Sequence, residues 1–108
     1  MNRMIHQKIR QYLVHSFLYY QLNESIISDN YFDLICKEIL NFLEINSEEY
    51  LLPYQGILSS SLSGDASGYT IRKFPAEIIS SALHLLYQKK YRESMSFNTF
   101  LARFGYKL

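Results

Sequence analysis

The chain has 108 residues, 48% apolar and 19% charged, a length at which one core can bury roughly two thirds of the unfolded surface without disulfide or metal staples. That balance, with no low-complexity tract, excludes a disordered acidic tail and a collagen-like fibre. The net charge of +1 divides into −3 over residues 1–54 and +4 over residues 55–108, which permits contact with phosphate but lacks the dense basic stripe of a nucleic-acid binder.

Met1-Asn2-Arg3-Met4 carries no apolar stretch ahead of a small-residue cleavage site, and the longest apolar runs fall far short of the roughly 18 residues that span a bilayer. A cytoplasmic protein with no membrane partner is expected. From Asn2 to about Leu22, the apolar positions Ile5, Ile9, Leu13, Phe17 and Tyr20 recur at spacings of three and four, flanked by Tyr12, Ser16 and Tyr19; this predicts a long amphipathic helix. Asn23-Glu24-Ser25 interrupts it. Ser28 then supplies an N-cap oxygen, and Asp29 a carboxylate at the positive end of a second helix running from about Asp29 to Glu44. The apolar set of that helix is Tyr31, Phe32, Leu34, Ile35, Ile39, Phe42 and Leu43. So short a loop makes the two helices antiparallel neighbours, and residues 3–45 a helical hairpin.

Pro53, Gly56 and the serine-rich run Ser59 to Gly68 mark residues 46–74 as a loop-rich connector, or a small β-hairpin with Gly64-Asp65-Ala66-Ser67-Gly68 at its tip. Pro75 suits a first helical position, and Ile78, Ile79, Ala82, Leu83, Leu86 and Tyr87 continue with helical period to about Lys90, where Lys89 and Lys90 complement the dipole. Ser96 is placed to cap a last helix through Phe97, Phe100, Leu101 and Phe104, stopped by Gly105. The expectation is one mainly α domain over 1–108: hairpin, connector, and C-terminal helices over 75–108.

Little in this pattern carries reaction chemistry. His6, His15 and His84 lack metal-ligand spacing, so they are expected to be exposed or hydrogen-bonded, and no metal site is expected. The loop Gly64 to Gly68 lacks the G-x-S-x-G order of a nucleophile elbow and reads as a turn. Neither phosphate-cradling glycine motif occurs. Cys36, the single cysteine, stands beside Ile35 on an apolar face and is expected to be buried without a redox role. The ten tyrosines and seven phenylalanines suit partner surfaces and ring stacking, although an A/T-rich genome enriches the same residues. Asp29 and Asp33, four apart, share one helix face, and Tyr19 and Tyr20 end the preceding helix across a short loop. Rings and carboxylates in that arrangement suit a flat cation, while the plainer reading is a cap, a solvated aspartate and two core tyrosines.

The string His15-Ser16-Phe17-Leu18-Tyr19-Tyr20-Gln21-Leu22-Asn23-Glu24-Ser25-Ile26-Ile27-Ser28-Asp29-Asn30-Tyr31-Phe32-Asp33-Leu34 resembles the small N-terminal helical domain, called Ia, of bacterial NAD-dependent DNA ligases. The likeness spans about residues 3–45 and ends on Leu43-Glu44. In that family the Ia domain folds over the nicotinamide mononucleotide (NMN) half of NAD. The resemblance therefore implies ring stacking by Tyr19 and Tyr20, with Asp29 and Asp33 holding ribose, phosphate-side or amide groups. Phe32 stands where the family has tyrosine, keeping the ring face and losing a hydroxyl, and Asn23-Glu24-Ser25 replaces the family's Asp-Ala-Pro. The nucleophilic lysine motif of the ligases, Lys-x-Asp-Gly, is missing, so ligation by this chain alone is not expected.

Two functions of different class follow. One is a non-catalytic module that recognises NMN or NAD, with Tyr19, Tyr20, Asp29, Phe32 and Asp33 as its site, or that serves as a ligase accessory subunit. The other is a phage- or prophage-encoded interaction factor that keeps the fold and binds a host enzyme or defence system; small proteins similar to this ligase segment occur in such genomes. A weaker expectation is nucleic-acid contact through Arg72, Lys73, Lys89, Lys90, Arg92, Arg103 and Lys107.

Overall fold

A computed structural model of the chain describes residues 3–46, 71 and 73–107. The predicted connector and its hairpin tip lie outside the described residues, apart from Ile71, Lys73 and Phe74. Helix α1 (Arg3–Ser16) passes directly into a five-residue π turn, Phe17–Gln21. Helix α2 spans Asp29–Asn46. Helix α3 (Ala76–Leu86) also runs on into a π turn, Tyr87–Tyr91, and α4 covers Phe97–Phe104. The described part is thus mainly helical, as the periodicity predicts, and no strand occurs among the described residues.

Each helix boundary has a local cause. Ser28 caps α2, its Oγ accepting from the Tyr31 N–H at 3.1 Å while its carbonyl accepts from the Phe32 N–H at 3.0 Å. Pro75 is the N-cap of α3 rather than its first helical residue: its ψ of 144° is extended, and its carbonyl accepts from the N–H groups of Ile78 and Ile79. Ser96 caps α4 through the Thr99 N–H, and Gly105, at φ 81°, ends it in the left-handed conformation that glycine tolerates. The Tyr106 N–H then reaches back to the Leu101 carbonyl at 2.9 Å, the closing bond of a Schellman motif.

α1 packs between α2 and α3. Tyr12 stacks on Phe32 with ring centroids 6.0 Å apart, and Lys8 pairs with Glu38 at 2.7 Å; the partner's number falls as that in α1 rises, so the two helices are antiparallel. On the other flank the Arg10 guanidinium donates to Ser81 Oγ at 2.6 Å. Ile5, Ile9, Leu13 and Phe17 are buried as the spacing predicts, and so are Tyr12, Val14, Ser16 and Leu18, because α3 covers a second face of α1. α2 contributes Ile35, Cys36 and Ile39, and α3 Ile78, Ala82, Leu83 and Leu86. Two residues assigned to the apolar face of α2 depart from it: Tyr31 and Leu34 are 43% and 50% exposed. Their positions lie outside the narrow stripe of Ile35, Cys36 and Ile39 that meets α1. Around the fully buried Phe100, Tyr87, Tyr91, Phe97 and Phe104 form a ring cluster that docks α4 on the end of α3.

Candidate functional site

The end of α1, the loop 23–28 and the first turn of α2 enclose a depression of about 270 Å³. The π turn delivers Tyr19 and Tyr20 to its edge, their rings edge-to-face at 4.8 Å. A π turn accommodates one residue more than an α turn, and this moves Tyr20 off the α1 seam: it is half-buried, and Tyr19 is 46% exposed. From α2 come Asp29, Phe32 and Asp33. Phe32 is anchored by its stack on Tyr12. All five residues singled out from the sequence thus line one hollow.

The loop adds residues that spacing did not mark. Asn23 adopts a left-handed backbone, φ 55°, a conformation asparagine enters more readily than most residues. This turns the chain so that the Glu24 N–H bonds the Leu18 carbonyl at 2.9 Å, and Ser25 Oγ donates to the Ile27 carbonyl at 2.8 Å. Glu24 is held from the second π turn: Tyr91 Oη donates to one carboxylate oxygen at 2.6 Å, and Lys90 Nζ lies 3.2 Å from the other. Hydrogen bonding to Glu24 raises the Tyr91 pKa above the ordinary tyrosine value, with burial adding to it. Ile26 and Ile27, both half-buried, line the hollow with His15.

His15 departs from the expectation of an exposed or hydrogen-bonded histidine. It is 8% exposed, and its Nδ1 and the neighbouring Ser16 Oγ are buried without a hydrogen-bond partner among the described residues. Burial lowers its pKa below the usual histidine value, so the imidazole is neutral at pH 7. With Ile26 and Ile27 it also lines a second, more open hollow bearing Arg10 and Lys89, so these three side chains form the partition between the two. His84, in contrast, is exposed and its Nδ1 lies 2.8 Å from the Ser80 carbonyl.

Burial, followed by the neighbouring Tyr19, Cys36 and Asp29, raises the Tyr20 phenol pKa. Asp33 is paired with Lys37 at 3.5 Å across an exposed i,i+4 spacing, a contact worth a few tenths of a kcal/mol (about 0.3–0.5). Cys36 is buried as expected, and burial followed by the Asp33 charge pushes its thiol up to about 11, which withholds the thiolate at neutral pH. Among the described residues no group of three His, Cys, Asp or Glu side chains is disposed to hold a metal. No helix of the described residues is long and apolar enough to cross a membrane. Of the basic residues at the C-terminal end, Lys90 is engaged by Glu24, Arg92 by Gln88 and Arg103 by the face of Tyr91 at 5.8 Å.

Compared with protein-family models, with curated proteins and with solved structures, the chain matches none. The chemistry available to the hollow follows from its lining: ring faces that stack, carboxylates that neutralise a cation or accept from hydroxyls, and a neutral imidazole beneath.

Proposed function

We propose that the protein is a non-catalytic, cytoplasmic binding module whose depression takes the nicotinamide end of NMN or NAD, acting alone or as an accessory to a ligase-type nucleotidyltransferase carried by another chain. The observation that supports this most is the convergence of Tyr19, Tyr20 and Phe32 with Asp29 and Asp33 on one hollow, the residue types and positions implied by the likeness to ligase Ia domains. A volume of about 270 Å³ lies just below the range of most ligand sites, ~300 to ~1,000 Å³. That suits a nicotinamide ring and part of its ribose, leaving the adenylate half of NAD in solvent, and binding is accordingly modest.

Calorimetric titration with NMN and NAD tests the reading. Saturable heat is expected for the parent protein, with affinity reduced by about tenfold or more in Tyr19→Ala and in Asp33→Ala, in line with the loss of a stacked cation contact. Tyr19 and Asp33 are exposed, so both variants should remain folded. Unchanged affinity in both would sink the proposal. One observation favours the second reading, a phage-encoded factor that binds a host protein: Tyr31 and Leu34 stand exposed one turn apart on α2. Absence of binding by either nucleotide at millimolar concentration would leave that reading in possession of the surface.

A further inference from the structure

The second, more open hollow measures about 510 Å³. Each of its helical walls carries a cation and an aliphatic residue one turn apart: Arg10 and Val14 on α1, Leu85 on α3 and Lys89 on the π turn that continues it. Ile26 and Ile27 complete the aliphatic part of the lining, and they and Leu85 are only half-buried. Among the described residues no Asp or Glu lines this hollow. Lys8, Lys37 and Lys90 are each held on a carboxylate. Arg10, in contrast, is exposed and donates to a hydroxyl, Ser81 Oγ, which leaves its charge uncompensated, and Lys89 is exposed with no ion pair among the described residues.

The spacing of these groups defines what complements them. Ser81, Leu85 and Lys89 follow at four-residue steps along one helical run, so Leu85 stands between the cation tied to Ser81 and the cation at Lys89, and the run from Ser81 to Lys89 is roughly 12 Å long. A helix with two carboxylates two turns apart spans about the same length and places an apolar residue at the intervening turn. Ridges of side chains at four-residue spacing on both walls are the relief into which a third helix packs. A nucleic-acid strand offers the anions but no aliphatic counterpart to Val14 and Leu85. Nor do the chain's own helices carry the pattern: among Asp29, Asp33, Glu38, Glu44 and Glu77, the acids of the described helices, no two are seven or eight residues apart.

We propose that this hollow is a docking groove for an acidic amphipathic helix of a partner protein, its carboxylates two turns apart on Arg10 and Lys89 and an aliphatic residue between them against Val14 and Leu85. The proposal is independent of any ligand in the depression. Its probe is a fluorescein-labelled synthetic peptide of about 18 residues, long enough to hold a helix, with Glu two turns apart on either side of a Leu. Fluorescence anisotropy with the full chain at low ionic strength should show saturable binding that weakens as salt rises. Affinity should fall about tenfold or more in Lys89→Glu, and likewise for a peptide with Gln in place of both Glu. Of two further peptides, each with Lys replacing one Glu, one should bind Lys89→Glu within about threefold of the parent pair, a rescue that a misfolded variant does not give. Lys89 is exposed, so the variant should keep the circular dichroism of the parent. Failure of the acidic peptide to bind, or an affinity indifferent to both charge changes, would overturn the proposal. A random single-stranded oligonucleotide that binds more tightly than the peptide and is lost in Lys89→Glu would overturn it in favour of nucleic acid. A dimer seen by sedimentation that Lys89→Glu dissociates would overturn it in favour of a second copy of the chain.

Discussion

His15 shows how a histidine without metal-ligand spacing comes to line the hollow. In the sequence it opens the ligase-like string and stands nine residues from His6. What distinguishes it is burial, with Nδ1 unpaired among the described residues. The energetic consequence is pH-dependent. In the unfolded chain the imidazole takes a proton near pH 6.5, its ordinary value, while in the folded chain burial lowers that value, so below pH 6.5 the unfolded state binds more protons. Stability therefore rises with pH through this window: the His15 contribution is complete above the unfolded value and is lost as pH falls through the folded one. Urea unfolding of the parent and of His15→Gln between pH 8 and pH 5 isolates it. The parent should lose more stability on acidification than the variant, and parallel curves would exclude His15 as the source. His6 and His84 remain in both proteins and cancel in the comparison.

The two π turns explain where the helical pattern was legible and where it was not. Ile5, Ile9, Leu13 and Phe17 follow the 3.6-residue period and are buried together; the caps Ser28 and Ser96 and the stop at Gly105 follow from side-chain chemistry. An inserted residue in a π turn leaves no comparable trace, since neither Phe17–Gln21 nor Tyr87–Tyr91 contains glycine or proline. Extrapolating the α period through Tyr20 therefore puts that residue on the core seam, whereas it stands at the rim of the hollow. Asp29 and Asp33 lie downstream of the insertion on their own helix, so their shared face is legible from spacing alone. The loop was not, because its course depends on the bond between Glu24 and Tyr91, 67 residues apart in the chain. Its other determinant is local: the Glu24 N–H reaches back six residues to Leu18, one further than the usual closing bond, and Asn23 at φ 55° makes that reach possible. Asn23→Val should cost about 1–2 kcal/mol because a β-branched residue is strained in the left-handed region, whereas Asn23→Gly should be nearly neutral or slightly stabilising. Equal losses in the two variants, measured by urea denaturation, would show that the asparagine side chain rather than its backbone conformation matters.

Among the described residues, all the lining of the hollow lies between residues 15 and 33, which invites the view that the α1–α2 hairpin is self-sufficient. The burial pattern argues otherwise. Tyr12 through Leu18 are buried without interruption, and a run of seven consecutive buried residues covers every direction around a helix, not one stripe. α2 masks part of that circumference and α3 another part, with Arg10 tied to Ser81 and Glu24 to Lys90 and Tyr91. Phe17 further meets Phe74 and Tyr106 edge-on at 5.3 and 5.9 Å, contacts made entirely with the C-terminal half. Removing that half uncovers Phe17, breaks the clamp on the loop, and leaves two helices of 14 and 18 residues near the length at which isolated helices are marginal. A peptide of residues 1–46 should accordingly show weak, non-cooperative helicity by circular dichroism and no cooperative thermal transition, although it contains every described residue that lines the hollow. A cooperative melt with dispersed amide resonances would refute this. The hollow is thus lined from one short stretch but shaped by the chain beyond it: the bonds from the second π turn to Glu24 hold its wall, and the packing of α3 on α1 holds the helix from which its rings project.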